Sequence, residues 1–420
     1  LKRWKKLATP SVFTLIFVAG LIPGLAMLAS DPGIAYTPDS GEYLAGAGDI
    51  LGHGAGVLFN PPAHPEFAMS VLWFIRPPVY PAVLAMIRCL PILPTEAWNF
   101  MVLWAMTLLA VLALHLFLRR NNGGAWVPVI VLPVISLPWA TSIMADIPFL
   151  LACALFLVAF LWFTERPGWT RALLVVILGV LASLTKPVGA FACILVAIAG
   201  LLERKARWFS LGITGAFVAL VVFWSLRNQS LYGRFLFSQV TDFNMAFFNY
   251  PALLASETGR DEWQLRDSLM QNFRQEVSMG GIAGDDRAKT ALLAEKAREA
   301  TGYIISRPVD YALCHLSYLP RALGSMNLPM MRARGPGREG PAPGGPGGFS
   351  VPGAVNIAAR AACFLLAILG IGFWWRRKKA QAVALIIGTL WLIMSMGPAG
   401  DDRTSLPAVV FASILAQGGW

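Results

Sequence analysis

The chain has 420 residues, of which 56% are hydrophobic and only 14% are Asp, Glu, Lys or Arg, and its mean hydropathy is +0.61. A soluble domain has no interior able to hide that much apolar side chain, so the composition describes a polytopic membrane protein and excludes a water-soluble enzyme. The formal net charge of +11 does not point to nucleic acid, because the cations stand in short clusters between apolar runs instead of on one polar face. Cys89, Cys153, Cys193, Cys314 and Cys363 have neither metal-ligand spacing nor the density of a disulfide framework.

The apolar runs, in chain order, are residues 10–29, 97–118, 126–144, 147–164, 171–185, 188–202, 208–226, 354–375, 381–397 and 405–417. They predict an all-α integral membrane protein of about 10 spans, several of them short. The first run, with its basic flank, reads as a retained span rather than a cleaved signal. Between the runs lie Lys2, Arg3, Lys5 and Lys6; Arg119 and Arg120; Arg166 and Arg171; Arg204, Lys205 and Arg207; and Arg376 to Lys379. With a cytoplasmic N-terminus every one of these clusters falls on the cytoplasmic side, opposed there only by Glu165 and Glu203, as the positive-inside rule requires.

Residues 77–92 are apolar but carry prolines near both ends and Arg88 inside. As a span they would invert all later loops, so they are read as a juxtamembrane helix at the outer surface. The predicted organisation is then an N-terminal membrane module over 1–226, with a first outer loop at 30–96. A large outer loop region follows over 227–350, and C-terminal spans fill 351–420. Within the outer region, residues 257–300 are charged and helix-prone, and 303–325 have the mixture of a helix lying along a membrane. The Gly/Pro-rich segment 335–349 reads as a mobile linker.

This topology sends ionisable residues at the outer ends of separate spans to one face. They are Asp39 and Glu42, Asp146, Lys186, Arg227, and Asp401, Asp402 and Arg403. Charged groups at span ends of an otherwise apolar protein are functional candidates, and carboxylates beside cations describe an acid/base centre next to an anion site. If residues 39–45 are helical, Asp39, Glu42 and Tyr43 share a face at i, i+3 and i+4. Structural roles stand beside these. Asp39 and Asp146 are both placed to cap helices, Lys186 and Arg403 to snorkel to head groups, and Arg227 to anchor an interface. His53 and His64, near Glu66, suggest a metal with Asp39 only weakly, while His115 and His315 have no evident partner.

Several short motifs resemble those of the GT-C superfamily of membrane glycosyltransferases, more narrowly the protein O-mannosyltransferases and the aminoarabinose transferase of lipid A. They are Pro38-Asp39-Ser40-Gly41-Glu42-Tyr43, Arg76-Pro77-Pro78-Val79-Tyr80-Pro81, Ala145-Asp146-Ile147-Pro148, Thr185-Lys186-Pro187-Val188-Gly189, Arg227-Asn228 with Tyr232-Gly233-Arg234-Phe235, and Asp402-Arg403 with Leu406-Pro407. All six occur in family order. The chain departs from the eukaryotic pattern in lacking an adjacent Asp-Glu pair in the first loop, so the acceptor is not implied by the family.

The resemblance implies a GT-C type bundle and a sugar donor linked to a polyprenyl phosphate, because nucleotide sugars are not expected outside the cytoplasmic membrane. It implies transfer to an acceptor hydroxyl, with inversion expected of a single displacement. In that reading Asp39 is the general base, and Asp146 orients sugar or acceptor or holds one of the cations in place. Lys186, Arg227 and Arg403 bind the leaving phosphate. Glu42 belongs to the same loop, and Tyr43 and Tyr80 line the sugar or lipid path. No cofactor is expected, although a divalent metal stays open. The partners are the lipid-linked donor, a lipid, glycan or protein acceptor, and membrane lipids. Ala-, Gly-, Arg- and Trp-rich usage suggests a bacterium with a GC-rich genome, and the cytoplasmic placement of the basic clusters puts the site on the periplasmic face of its inner membrane. Two other functions are open: an outward-facing polymerase or ligase of lipid-linked polysaccharides, and a lipid or sugar carrier. The carrier is disfavoured because the charges sit at span ends and not in mid-span.

Overall fold

The computed structural model of the chain describes residues 10–30, 36–37, 39–120, 126–320, 351–395, 398 and 406–417. Among these residues every regular element is helical and there is no strand. Each apolar run of the sequence forms a helix: α1 (Pro10–Ser30), α5 (Thr95–Arg120), α6 (Trp126–Ala140), α7 (Asp146–Glu165), α8 (Trp169–Ser183), α9 (Val188–Ala199), α10 (Arg207–Tyr232), α16 (Val351–Arg377), α17 (Lys379–Met394) and α18 (Leu406–Gln417). Four helices among the described residues, Thr95–Arg120, Asp146–Glu165, Arg207–Tyr232 and Ala354–Arg377, are long and apolar enough to cross a bilayer. Among the described residues the other apolar runs give helical stretches of 10–17 residues, Thr14–Ala26 within α1 among them.

Helix α7 is apolar all round and sits at the centre: 78% of its most apolar window is buried, against 28% in α10. That contrast is expected of a core helix and a peripheral one. α7 packs on α5, α8 and α18, and α18 in turn packs on α16 and α17. The α16–α18 crossing depends on a small residue, because a Cβ at Gly370 would stand 1.8 Å from the Leu415 carbonyl oxygen. Close backbone approach through glycine is how helices associate where lipid supplies no hydrophobic drive.

Charge sorts to the two ends of the bundle. At the C-terminal end of α7, Lys378 pairs with Glu165 at 2.5 Å, and Arg120 and Arg171 both lie over the Trp162 ring. At the opposite end, about 30 Å along a helix of this length, stand Asp146 and the short elements α2 (Ser40–His53), α3 (Leu72–Ile75) and α4 (Val79–Arg88). α4 lies inside the predicted juxtamembrane segment. At ten residues it reaches only about 15 Å, half a hydrocarbon core.

Helix α10 ends at Gly233, whose φ of 78° is the left-handed geometry of a glycine C-cap. Beyond it lie α11 (Val240–Asn244), a π-helical turn (Met245–Asn249), α12 (Tyr250–Thr258), α13 (Glu262–Met279), α14 (Asp286–Ile305) and α15 (Pro308–Ser317). α13 and α14 start where the sequence supplies caps: Asp261 accepts from the Gln264 N–H, and Asp285 from those of Arg287 and Ala288. The predicted linker 335–349 lies outside the described residues, as do Asp401, Asp402 and Arg403.

Candidate active site

The first-loop acids are gathered by a residue that the spacing of the sequence did not single out. Arg76, at the turn between α3 and α4, places Nη2 2.8 Å from Asp39 Oδ1 and Nε 2.5 Å from Glu42 Oε2. Its guanidinium also stands over the Tyr43 ring, 5.1 Å from the centroid. The i, i+3, i+4 face of α2 therefore exists, and all three of its residues converge on one cation. Ser70 donates a short hydrogen bond to the other Glu42 oxygen. Burial works against the Arg76 charge, but the two carboxylates outweigh it and hold its pKa well above the ordinary arginine value. Asp39 occupies the N-cap position of α2 without making a side-chain cap bond; its carboxylate is turned to Arg76 instead.

The second cluster is Asp146 with Lys186. Asp146 is the first residue of α7 and is 1% exposed. Its Oδ1 takes the Lys186 ammonium at 2.5 Å, while Oδ2 is buried with no hydrogen-bond partner among the described residues. The expected capping role is not what this side chain does, since the α7 N-cap is Ala145 and makes no side-chain cap bond. A buried carboxylate oxygen left unpaired is an acceptor waiting for a donor.

Three connections bind the two clusters into one region. Ser40 Oγ, at the start of α2, donates to the Ile143 carbonyl just before α7. The Val79 N–H, at the start of α4, donates to the Leu184 carbonyl beside Lys186. Tyr80 is fully buried, donates to Asn99 Oδ1 at 2.9 Å, and lies edge-to-face on Tyr43 at 4.9 Å. Burial, together with Tyr43 and Asp146 nearby, pushes the Tyr80 phenol well above its ordinary pKa, so it remains a neutral donor. Both tyrosines are thus packed against protein and neither presents an open ring face.

Arg227 sits elsewhere. Its Nε donates to the Leu58 carbonyl, and its Nη1 to the Trp73 carbonyl and to Asn228 Oδ1. These bonds clamp the first loop onto the end of α10 and do not join the acidic cluster. Arg403 falls outside the described residues.

His64 is not beside Asp39. Its Nε2 lies 2.9 Å from Asp49 Oδ2 and its Nδ1 2.7 Å from Glu66 Oε1, and Trp73 Nε1 donates to the same Asp49 oxygen. Lys289 of α14 reaches the His64 and Phe67 carbonyls, each at 3.5 Å. Among the described residues no group of three or more His, Cys, Asp or Glu side chains is arranged to hold a metal ion. Burial lowers the His64 pKa, but the hydrogen bonds and charges of Glu66 and Asp49 outweigh it and the net direction is upward. A raised folded value means that this clamp contributes fully below about pH 6.5, the unfolded value, and fades as pH rises through the folded value. We expect His64→Gln to flatten the fall in thermal midpoint of the detergent-solubilised chain between about pH 6 and 8. Parallel curves for the two proteins would show that the clamp adds nothing.

No protein-family model matches the chain, and no curated protein matches its sequence. Solved structures do match its fold. The Archaeoglobus fulgidus oligosaccharyltransferase in the apo form aligns with TM-score 0.50 and 14% identity, covering 99% of this chain and 50% of that one. The same enzyme tethered to an acceptor peptide containing the NVT sequon gives the same score and identity, with 98% and 50% covered. The chain has a GT-C type fold. Its backbone architecture resembles that of this oligosaccharyltransferase, and it spans about half the length of that enzyme. ArnT from Cupriavidus metallidurans in the apo state aligns over 96% of this chain and 77% of its own length at 16% identity, with a TM-score of 0.35.

Proposed function

We propose that the chain is a membrane glycosyltransferase that moves a sugar from a polyprenyl-phosphate donor to an acceptor hydroxyl at the outer face of a bacterial inner membrane. The observation that carries this reading is the joining of an Arg76-bound acid pair to the Asp146–Lys186 pair at one end of an apolar bundle. The GT-C type fold supports it, since the structures sharing that fold include an oligosaccharyltransferase with an acceptor peptide.

In this reading the acceptor oxygen bonds to the anomeric carbon, the carbon–oxygen bond to the lipid phosphate breaks, and the acceptor proton passes to Asp39. Asp39 is the choice among the acids because its side chain is 26% exposed, against 12% for Glu42 and 1% for Asp146. Only a reachable carboxylate can meet an incoming hydroxyl. Arg76 holds the Asp39 carboxylate in place through their ion pair. Lys186 meets the phosphate as negative charge develops on it, where fixed cations in a dry site act most strongly. Asp146 Oδ2 takes a hydroxyl of the bound sugar. Glu42, Tyr43 and Tyr80 hold Arg76 and the α2–α4 junction in place, and Arg227 holds the first loop. Arg403 is retained as a second phosphate ligand.

The test is turnover by the purified full chain, offered polyprenyl monophosphate sugars and, separately, polyprenyl diphosphate oligosaccharides, with a membrane extract as acceptor. Release of polyprenyl phosphate from the monophosphate donors alone is the expected result. Turnover only with diphosphate donors would instead establish the polymerase or ligase reading, and transbilayer movement without bond cleavage would establish a carrier.

A further inference from the structure

The helical region 240–317 contains a cavity of about 240 Å³ between the π-helical turn, α13 and α14. Nothing in the transfer centre uses it. Its floor is apolar: Phe247 and Phe273 are buried and meet edge-to-face at 5.5 Å. One wall is a second edge-to-face pair, Tyr250 and Tyr303, at 5.1 Å. The Tyr303 ring is fixed in place, its hydroxyl donating to Glu257 and the Arg307 guanidinium lying 3.9 Å from its centroid. The rim is polar. Asn272 and Glu299 are exposed, and Lys296 pairs with Glu276 at 2.9 Å.

The local structure builds this cavity. Leu269, Asn272, Phe273 and Glu276 lie at i, i+3, i+4 and i+7 of α13, and Lys296, Glu299, Ala300 and Tyr303 repeat that spacing on α14, so each helix offers one continuous face. The π-helical turn, Met245–Asn249, widens the backbone on the third side. Such turns are uncommon and are frequently found at functional sites. Asn249 secures it, donating to the Asn244 carbonyl and accepting from the Tyr311 hydroxyl.

We propose that this cavity is a saccharide-binding subsite for the acceptor, so that the acceptor carries a glycan. The inference rests on the transferase reading above for what the bound sugar is for. Tyr250 and Tyr303 are partly exposed, and aromatic surface of this kind packs against the C–H side of a sugar ring. A rim of amide, carboxylate and ammonium groups supplies both donors and acceptors to its hydroxyls. The volume is below the roughly 300–1,000 Å³ of drug-sized ligand pockets, which fits a single ring and not a lipid. A peptide held by its main chain needs an open strand edge or an extended groove, and the three walls here are helices whose backbone groups are already paired. The subsite is also mechanically joined to the transfer centre. Lys289, seven residues before Lys296 on the same face of α14 and about 10 Å away along it, bonds to the loop carbonyls of His64 and Phe67. That loop runs on to Ser70 and Arg76.

The experiment is saturation-transfer NMR on the full-length chain in detergent, with N-acetylglucosamine, mannose, galactosamine and their β-linked disaccharides as probes. The native chain is compared with Tyr250→Ala and Asn272→Ala. The expected result is saccharide contact in the native chain that weakens roughly tenfold in each variant, with hydrolysis of the lipid-linked donor unchanged. Asn272 is exposed, so its variant keeps the test alive if Tyr250→Ala does not fold. Absence of saccharide contact, equal contact in all three chains, or displacement by acceptor peptides alone would each overturn the subsite. Donor turnover is read in parallel: turnover without binding removes only the subsite, and binding without turnover removes the transferase reading while leaving the subsite in place.

Discussion

Asp39→Asn is expected to lower transfer by about 10²- to 10⁴-fold, the range associated with a positioned general base, while leaving donor binding and the fold nearly unchanged. The substitution preserves the shape of the side chain and an oxygen able to accept from Arg76 Nη2, which lies 2.8 Å away in the native chain. It removes the most accessible carboxylate of the cluster, 26% exposed against 12% for Glu42. The loss should fall on kcat, because the proton moves only as the acceptor attacks. Two readouts decide the role. The anomeric configuration of the product, compared with that of the donor, should be inverted. Retention would instead make Asp39 a nucleophile that forms a covalent intermediate. A fall of less than tenfold would mean that another group takes the proton.

The reason Asp39 is singled out also marks how far the chain could be read before folding. The ten apolar runs are local signals, and each became a helix because in an apolar medium the backbone must pair its own groups within the segment. The face shared by Asp39, Glu42 and Tyr43 was legible for the same reason, since helical spacing fixes it within five residues. What those residues face was not legible. Arg76 is 34 positions from Glu42, Lys186 is 40 positions from Asp146, and no periodicity connects them. The Arg76-Pro77-Pro78 motif was visible as a helix start, and its arginine is the signal that could have been weighed as the partner of the acids. Capping roles for Asp39 and Asp146 were reasonable from position, yet neither helix start has a side-chain cap bond and both carboxylates face cations instead. Arg227 at a span end reads as an anion ligand or an interfacial anchor; in the fold, first-loop carbonyls accept from its Nε and Nη1, while Nη2 is buried with no hydrogen-bond partner among the described residues.

Arg76→Met is expected to be the most destabilising single change at the site, at about 3–5 kcal/mol, the cost of breaking a buried ion pair by removing one partner. Arg76 serves two carboxylates at once, and its side chain is only 14% exposed. Without it Asp39 and Glu42 stand one helical turn apart with their charges uncompensated and partly desolvated. The cation over Tyr43 is lost as well, worth about 0.5–1 kcal/mol where solvent still reaches. Arg76→Lys should recover only part of this, since a single ammonium lacks the planar fork whose two directed N–H bonds reach different carboxylates. Adding Glu42→Gln to Arg76→Met should restore stability relative to the single variant, because one of the stranded charges is then gone. That recovery is the coupling a double-mutant cycle measures. Unfolding midpoints in detergent for the four chains decide the matter. A native-like midpoint for Arg76→Met would show that water already solvates both acids, and the cluster would then be an exposed pair with little hold on α2. A depressed midpoint that Glu42→Gln raises would show instead that Arg76 holds the acidic face of α2 against the α3–α4 turn, and so sets where Asp39 can meet an acceptor.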